Sequence, residues 1–341
     1  MEFDWDISLL EGYPYRFLQN VARVPGVAGF NGLDTPEIKN IIARERFDAV
    51  IINGWHHKSA WQAMLACWKT GTPLMVRSDS NLHSERPLFK RMAKRPFYFW
   101  FISKLDACLP VGKWSSDYFL HYGADAERVF IVPHVVDTDY FGSESHRLTT
   151  QRENLRAQWR LDNAAVVFLF AGKFTEIKRP LDFVDAIARA ATKGRIAGLM
   201  VGDGPLRQTC EDRVRALGAP IQFAGFLNQS MMPAAYAAAE ALVLPSGGET
   251  WGLVVNEAMA CGLPCFVSDR VGCGPDMVIP KKTGALFPVG DTGSLTDLLV
   301  GFAANKEQMS WMSGQAREQA EKYTLSVAVA RTLQAVEMVT A

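Results

Sequence analysis

Two glutamates flank a strand-to-helix turn in the second half of the sequence. An apolar run over residues 241–245 is followed by a glycine pair, and a segment of helical period extends from about Gly252 to Gly262. Glu249 lies just before this helix and Glu257 one to two turns into it, so both carboxylates can point into one cleft. The first N–H groups of the helix can bind an anion without a cationic side chain. The pattern suits a ligand with both phosphates and hydroxyls, such as a nucleoside-diphosphate sugar.

Two histidines mark a second candidate position in the first half of the sequence. His56 and His57 follow an apolar run at 49–53 and precede a segment of helical period at 58–69. Histidine is well suited to proton transfer near neutral pH, so either residue could act in catalysis or contact an acceptor. A structural role is the alternative for both histidines, and a simple cap interaction is the alternative for the two glutamates.

Both candidate positions lie in arrays of short apolar runs that alternate with longer helical segments. The strand candidates are 49–53, 74–77, 107–111 and 129–133 in the first array, and 166–171, 198–202, 221–223, 241–245 and 264–268 in the second. Such alternation predicts parallel sheets covered by helices. Because the carboxyl ends of parallel strands meet at one edge, we expect the residues that follow each strand to lie close together.

A polar stretch over residues 141–151 separates the two arrays and is interpreted as a linker. We therefore expect an α/β protein with two doubly wound, Rossmann-like domains that face one another and bind ligand between them. The N-terminal, acceptor-side domain would cover 1–145 and the C-terminal, donor-binding domain 146–325. A last helix over 326–341 could cross back to the first domain. A single large sheet is the alternative.

The composition predicts a cytoplasmic protein and argues against nucleic acid as a partner. Lys plus Arg and Asp plus Glu both total 36, so the net charge is zero and phosphate neutralisation cannot dominate binding. The six cysteines lack the paired spacing of a zinc site or a disulfide framework. No apolar run approaches the ~18 residues of a membrane-spanning helix, and the first residues do not resemble a secretory signal.

Four segments of the sequence carry a resemblance to a known family. Glu249 and Glu257 precede residues 258–264 as in the family's signature, and residues 172–178 are similar to its strand-end motif, in which two cations bind the donor pyrophosphate. Residues 201–206 resemble the next strand and turn, and residues 132–137 resemble the segment that closes the first domain. In this order and spacing the motifs resemble the retaining family 4 glycosyltransferases of the GT-B fold.

The resemblance implies how a sugar donor would be bound. Glu257 would accept hydrogen bonds from the ribose hydroxyls, and Glu249 would lie beside the transferred sugar. Lys173 and Lys178 would neutralise the charge that grows on the departing diphosphate, so no metal ion or other cofactor is required. The other residues implied for the donor site are Gly172, Gly202, Phe226, Leu227, Gly248, Thr250, Trp251, Gly252 and Leu253. The sequence departs from the family at Lys173, where arginine is frequent, and at Arg179, where glycine is common.

The resemblance also implies an acceptor side and a reaction. Arg77, Asp79 and Asn81 lie in a polar loop after the second predicted strand and would line the acceptor side. The reaction would be a retaining, metal-independent, hexosyltransferase-like transfer to a polysaccharide or lipid-linked acceptor, of the kind used in bacterial lipopolysaccharide, exopolysaccharide or other surface-glycan biosynthesis. The candidate catalytic side chains are Glu249, Lys178, Lys173, His56 and His57.

The beginning of the sequence supports a different function. Family members usually open with a strand, a glycine-rich turn and a helix, whereas residues 4–13 resemble a segment that normally follows that unit. We therefore expect an N-terminal domain that lacks its first strand-turn-helix unit. The alternative function is a non-catalytic or impaired nucleotide-sugar binding protein. An epimerase or phosphorylase of the same architecture is less well supported by the motifs.

A basic and aromatic segment over residues 86–104 offers a surface for a further partner. It contains six Lys or Arg residues and six aromatic residues, and no Asp or Glu. A helix of this composition can lie in an anionic membrane interface, which would make the protein peripheral on the inner face of a membrane. The alternative is a helix whose aromatic side chains lie in the core and whose basic face is solvated.

Overall fold

The computed structural model describes residues 10–83 and 88–341, and the side chains of residues 88–91 are not described. The chain divides into two compact units. One unit ends at Pro133 and takes up the chain again over Ser326–Ala341, and the other is His134–Leu325. Of the sequence predictions, the segments 1–9 and 84–87, which include Arg86 of the basic segment, lie outside the described residues.

The unit that ends at Pro133 is built on a short parallel sheet. Its described elements are α1 (Ile38–Glu45), β1 (Val50–Asn53), α2 (Lys58–Thr70), β2 (Leu74–Ser78), α3 (Leu88–Ile102), β3 (Ala107–Pro110) and α4 (Lys113–His121). The strand order is β1-β2-β3, with Val50 paired to Leu74 and Val76 paired to Cys108. The apolar runs predicted at 49–53, 74–77 and 107–111 are therefore confirmed as strands.

The strand predicted over residues 129–133 is wrong. The structure has only an isolated bridge between Cys108 and Val129, although the N–H of Phe130 donates to the Cys108 carbonyl and that of Val132 to the Pro110 carbonyl. Pro110 has no N–H with which to return a hydrogen bond, so the ladder between this segment and β3 stays incomplete.

The second unit contains a larger sheet of six parallel strands. Its described elements are α5 (Thr138–Thr149), α6 (Arg152–Gln158), β4 (Val166–Ala171), α7 (Pro180–Ala191), β5 (Ile196–Val201), α8 (Arg207–Leu217), β6 (Ile221–Gly225), α9 (Met232–Ala238), β7 (Ala241–Leu244), α10 (Leu253–Ala260), β8 (Cys265–Ser268), α11 (Gly274–Met277), β9 (Gly284–Phe287), α12 (Thr292–Ala303) and α13 (Lys306–Ala320). The strand order β6-β5-β4-β7-β8-β9 is that of a doubly wound, Rossmann-like sheet.

The core of the second unit lies on both faces of this sheet. In β4 and β5 every residue except Val166 is buried, as expected for central parallel strands covered by helices. Phe168 and Phe170 of β4 pack with aromatic side chains from the surrounding helices and strands. Long apolar runs without alternation therefore predicted these strands correctly.

The predicted linker over residues 141–151 is also wrong, because most of it forms α5. The carboxylate of Asp137 accepts a hydrogen bond from the N–H of Tyr140 and caps the helix. Phe141 and Ser145, one turn apart, are the buried residues of this otherwise polar helix. The boundary between the units at Pro133/His134 consequently lies before the predicted boundary at 145/146.

The last helix, α14 (Leu325–Thr340), belongs from Ser326 onward to the unit of the three-stranded sheet. Its buried Ala335 packs in one cluster with Met75 of β2 and Leu109 of β3. No helix within the described ranges is both long enough and apolar enough to cross a membrane.

Candidate functional site

The candidate site in the second unit lies where the strand order reverses, between β4 and β7. Connections leave this point toward opposite faces of the sheet, which opens a crevice at the carboxyl ends of the strands. The loops that follow β4 and β7 are joined there. The Ile177 carbonyl accepts hydrogen bonds from the N–H of Gly247 at 2.6 Å and from the Ser246 hydroxyl at 2.9 Å. The structure therefore brings together two motifs about 70 positions apart in the sequence.

Glycines at the ends of β4, β5 and β6 give this crevice a floor of backbone atoms. The N–H of Gly202 donates to the Gly225 carbonyl at 2.8 Å, and the N–H of Gly172 donates to the Val201 carbonyl at 3.0 Å. Gly202 has a φ of +126°, and a Cβ atom there would lie 2.0 Å from the Gly172 carbonyl oxygen. Only glycine permits this approach of the two strand ends. At Gly172 and Gly225 a Cβ atom would meet nothing within 4 Å, so a ligand can approach the backbone there.

Lys178 and Glu249 form an ion pair across the crevice, between the Lys178 Nζ and the Glu249 Oε1 atoms. Glu249 is the more buried partner, and its own N–H donates to the Arg270 carbonyl at 3.0 Å. Lys173, the other predicted cation, is exposed at the end of β4. The structure thus pairs Lys178, which was predicted to bind phosphate, with Glu249, which was predicted to bind the sugar. A bound diphosphate would compete with Glu249 for Lys178.

Arg179, which follows Lys178, has a φ of +50°. This left-handed conformation is one that glycine adopts with little strain, whereas a residue with a side chain is strained there. The Arg179 guanidinium forms two hydrogen bonds to the Asp182 carboxylate, at 2.6 and 3.1 Å. The arginine is therefore tied to the start of α7.

The segment from Glu249 to Gly252 is fixed by backbone contacts to residues 270–273. The N–H of Gly272 donates to the Glu249 carbonyl at 3.1 Å, and the N–H of Cys273 donates to the Trp251 carbonyl at 2.9 Å. Gly252, at a φ of +108°, then turns the chain into α10. In the part of the chain that the structure describes, no group accepts from the N–H of Thr250, Gly252 or Leu253. These donors at the start of α10 can serve an anion or a hydroxyl.

Trp251 can contribute only its backbone to this site, because its side chain is buried in the unit. The Trp251 Nε1–H donates to the Asn256 Oδ1 atom at 2.8 Å, and the Asn256 amide donates to the His134 carbonyl at 3.2 Å. Asn256 is completely buried and both of its polar groups are satisfied. These buried hydrogen bonds therefore hold the segment before α10 in place.

Glu257 lies one turn into α10 and is held by Tyr236. The Tyr236 hydroxyl, which is fully buried on α9, donates to the Glu257 Oε2 atom at 2.6 Å. Burial raises the pKa of Glu257 to about 7, and the hydrogen bond from Tyr236 acts in the opposite direction. Sequence reasoning did not identify Tyr236, because nothing in its surroundings distinguishes it from an ordinary core tyrosine.

The other donor-site candidates lie at the same edge of the sheet. Phe226 and Leu227 directly follow β6, and the Phe226 side chain is exposed. Gly248 lies next to Ile177, whose side chain a Cβ atom at Gly248 would contact at 3.4 Å. The Arg207 guanidinium, which the sequence did not single out, covers the Phe223 ring at 4.7 Å. It adds a cation beside the end of β6.

In the first unit, the predicted acceptor-side residues also meet at neighbouring strand ends. The N–H of Gly54, after β1, donates to the Arg77 carbonyl in β2 at 2.7 Å. His56 is exposed, and its ring lies 5.0 Å from that of His57. The His57 Nδ1 atom lies 3.2 Å from the Gly29 carbonyl oxygen. His56 is thus the more accessible of the two histidines.

The polar loop after β2 is partly engaged in local structure. The Arg77 guanidinium donates to the Pro133 carbonyl at 3.0 Å, and burial lowers the pKa of Arg77 while Asp79 raises it. The Asn81 side chain accepts a hydrogen bond from the N–H of His83 and forms a turn. Within the described part of the chain, the Asp79 carboxylate accepts no hydrogen bond, and its effect there is the charge that raises the pKa of Arg77.

No group of three or more His, Cys, Asp or Glu residues that could hold a metal ion occurs within residues 10–83 and 88–341.

Two Rossmann-like units with parallel sheets, one with a crevice of backbone donors, cations and carboxylates at its switch point, define the GT-B class of glycosyltransferase architecture. Family comparison agrees with this assignment. The model "Glycosyl transferases group 1" matches residues 151–319, and the model "Glycosyltransferase Family 4" matches residues 8–140. The chain therefore carries a glycosyltransferase group 1 domain and a glycosyltransferase family 4 domain.

Individual relatives support the same class. The chain is 32% identical over 173 residues to N-acetyl-alpha-D-glucosaminyl L-malate synthase of Bacillus anthracis. The aligned region covers 48% of this chain and 43% of that protein. It is 28% identical over 221 residues to D-inositol 3-phosphate glycosyltransferase of Xylanimonas cellulosilytica, which covers 62% of this chain and 52% of that protein. The chain thus spans about half the length of these curated relatives. Anabaena HepE, solved in complex with UDP, shares the fold with a TM-score of 0.71 and 18% identity, over 90% of this chain and 82% of HepE.

Proposed function

We propose that the chain is a retaining glycosyltransferase that moves a sugar from a nucleoside-diphosphate sugar to a glycan or lipid-linked acceptor in surface-glycan biosynthesis. The observation that carries the proposal is the joint position of Lys178, Glu249 and Glu257 around the start of α10. This arrangement offers a cation for a diphosphate, backbone N–H donors for a phosphate or hydroxyl, and two carboxylates for hydroxyl groups. A nucleotide sugar uses all three.

Each part of the donor has a counterpart in the crevice. The ribose hydroxyls would donate to Glu257, whose carboxylate is oriented by the hydrogen bond from the Tyr236 hydroxyl. The diphosphate would lie over the glycine floor near Lys178 and Lys173, and the sugar hydroxyls would donate to Glu249. Displacement of the Lys178–Glu249 ion pair by the diphosphate would release both side chains for the donor.

The chemical step would depend on stabilisation of the leaving diphosphate. As the bond between the anomeric carbon and the phosphate oxygen breaks, negative charge grows on the diphosphate, and fixed cations and N–H donors stabilise that charge. Lys173, Lys178 and the start of α10 would supply them without a metal ion. Because no carboxylate is assigned as a covalent nucleophile, the acceptor would attack on the face that the diphosphate leaves, which retains the anomeric configuration. His56 or His57 would contact the acceptor hydroxyl or take its proton.

The proposal includes a location as well as a reaction. The exposed aromatic and basic side chains of α3 would keep the protein at the inner face of a membrane, where lipid-linked acceptors are available.

Donor turnover by the purified protein tests the proposal. We expect Lys178→Ala and Glu257→Ala to lower turnover of the accepted nucleotide sugar by about 10²-fold or more, the loss typical when a group that stabilises the transition state is removed. Lys193→Ala, which removes an exposed lysine of the same unit, is the matched control and should leave turnover unchanged. The product should keep the anomeric configuration of the donor in NMR spectra, and chelators should have no effect.

Three results would contradict parts of this proposal. Donor turnover that is unaffected by both substitutions would remove the assigned roles, and an inverted product would remove the retaining mechanism. Nucleotide-sugar binding without any transfer or donor hydrolysis would favour the non-catalytic binding protein instead.

A further inference from the structure

The first unit has a surface on which α2 and α3 lie side by side. The Trp61 and Phe97 rings are 5.6 Å apart, and the Trp68 and Trp100 rings are 5.9 Å apart. The Trp68 indole N–H also donates to the Lys104 carbonyl just after α3. These contacts fix the two helices as one surface, which we call the α2–α3 face.

Large apolar side chains on this face are exposed to solvent. Leu65 of α2 is 53% exposed, and Met92, Phe97 and Trp100 of α3 are 73%, 43% and 50% exposed. Single exposed apolar residues are ordinary, but a group of them on adjoining helices marks an interaction surface. The sequence alternative, in which the aromatic residues of α3 all lie in the core, therefore fails for Phe97 and Trp100.

The charge of the face has one sign. Neither α2 nor α3 contains an Asp or Glu residue, whereas Lys69, Lys94, Arg95 and Lys104 are all exposed on or beside them. Lys90 and Arg91 add two more cations to the sequence of α3. Asp106 is the next acidic residue after α3, and its carboxylate accepts a hydrogen bond from the N–H of Leu74. Cations elsewhere in the protein are often paired, as with Lys58 and Asp34 at the start of α2 and Arg213 and Asp185 in the second unit.

We propose that the α2–α3 face docks the protein on an anionic lipid bilayer. Its aromatic and aliphatic side chains would enter the boundary between headgroups and acyl chains, and its Lys and Arg residues would contact anionic headgroups. The proposal deepens the membrane location that belongs to the proposed function by naming the face and the lipid, and it rests on none of the donor-site residues.

Charge distinguishes the bilayer from two other partners. A second copy of this chain would place an all-cationic face against an identical face, and like charges across an interface are unfavourable. A nucleic acid would contact the cations, but Leu65 and Met92 have no flat ring on which a base could stack. An anionic bilayer accommodates both the cations and the aliphatic side chains.

Vesicle cosedimentation of the whole chain tests the proposal. We expect binding to vesicles of phosphatidylcholine with phosphatidylglycerol and little binding to phosphatidylcholine alone. Lys94→Glu/Arg95→Glu should weaken binding by more than tenfold, because each cation contributes about fivefold. Trp100→Ser should weaken it by about tenfold through loss of apolar insertion. Tryptophan fluorescence of the unaltered protein should shift to the blue on binding. The shift should be smaller in Trp100→Ser.

Matched variants of the second unit provide the controls. Trp311→Ser removes a tryptophan of similar exposure on α13, and Lys193→Glu/Arg195→Glu reverses two exposed cations. Both should bind vesicles like the unaltered protein. The charge variant of α3 replaces only exposed side chains, so it keeps the test valid even if Trp100→Ser fails to fold.

Several results would overturn the proposal. These are no vesicle binding, equal binding to neutral and anionic vesicles, and binding that is lowered equally by the control variants. A stable dimer that Trp100→Ser dissociates, without vesicle binding, would assign the face to a second copy. Strong binding to single-stranded nucleic acid that excludes vesicles would assign it to that partner.

Discussion

The two units of the protein differ in what their strand ends and charged side chains contact. In the second unit, the ends of β4, β5 and β6 are joined through Gly172, Gly202 and Gly225, and Lys178 faces a carboxylate of the same unit. In the first unit, β1 is a terminal strand of the described sheet and its Ile51 is exposed. The cations of the α2–α3 face have no acidic residue on their own helices. One unit is organised around an internal crevice, and the other presents a surface.

The largest expected difference between the units is in the free energy of unfolding that is lost when a glycine after a strand is replaced by alanine. Gly202, after β5, has a φ of +126°, and a Cβ atom there would lie 2.0 Å from the Gly172 carbonyl oxygen. Gly54, after β1, has a φ of +69° and nothing within 4 Å of such an atom. Gly202→Ala should lower the free energy of unfolding by about 3 kcal/mol or more through strain and overlap, and Gly54→Ala by about 1 kcal/mol through strain alone.

Urea unfolding of the two alanine variants measures this difference. Similar losses of unfolding free energy for both variants would show that the strand ends of the second unit are not packed more tightly than those of the first.

A smaller difference is expected in the pH dependence of stability. Burial raises the pKa of Glu257 from 4.5 to about 7, so the folded state holds this proton more tightly than the unfolded state does. Between these two values the stability contributed by Glu257 falls as the pH rises, by up to about 3 kcal/mol in total. Glu257→Gln, which cannot ionise, should therefore be more stable than the unaltered protein at about pH 8 and similar to it below pH 4.5.

Asp34 of the first unit provides the opposite case. Hydrogen bonds from Lys58 and Gln62 lower the pKa of Asp34, so its contribution to stability is present above its ordinary pKa of 3.8 and is lost as the pH falls through the lowered value. Asp34→Asn should therefore lose stability at neutral pH. Thermal unfolding of both variants across pH is the measurement, and a pH-independent effect of Glu257→Gln would show that the carboxyl group is not buried as described.

Much of the second unit could be predicted because its sequence follows simple physical rules. The runs at 166–171 and 241–245 are apolar throughout, as central parallel strands must be, and glycines mark their ends. The stretch at 141–151 was wrongly predicted to be a linker because Phe141 and Ser145 are its only buried residues, too few to produce a visible apolar period. The segment at 129–133 misled because the missing N–H lies in its partner, Pro110, and not in the segment itself.

The candidate site could be predicted only in part, because some of its contacts depend on tertiary packing. Glu249, Glu257 and Lys178 follow from motifs; in the structure Lys178 and Glu249 form an ion pair, and Glu257 lies on α10, which begins just after Glu249. The hydrogen bond from Tyr236 to Glu257 joins α9 to α10, and the Asn256 amide joins Trp251 to His134. Sequence separation hides both contacts. The exposure of Trp100 likewise depends on how far α3 is covered, which composition alone does not determine.

The central claim is that the crevice of the second unit binds a nucleoside diphosphate through Lys178 and Glu257. Isothermal titration of the purified chain with UDP, GDP and ADP, each with and without a linked sugar, tests it most directly. We predict that one of the nucleotides binds at one site per chain, that Lys178→Ala and Glu257→Ala each weaken binding by about tenfold or more, and that Lys193→Ala leaves it unchanged. Binding of no nucleotide, or equal affinity in all four proteins, would contradict the account.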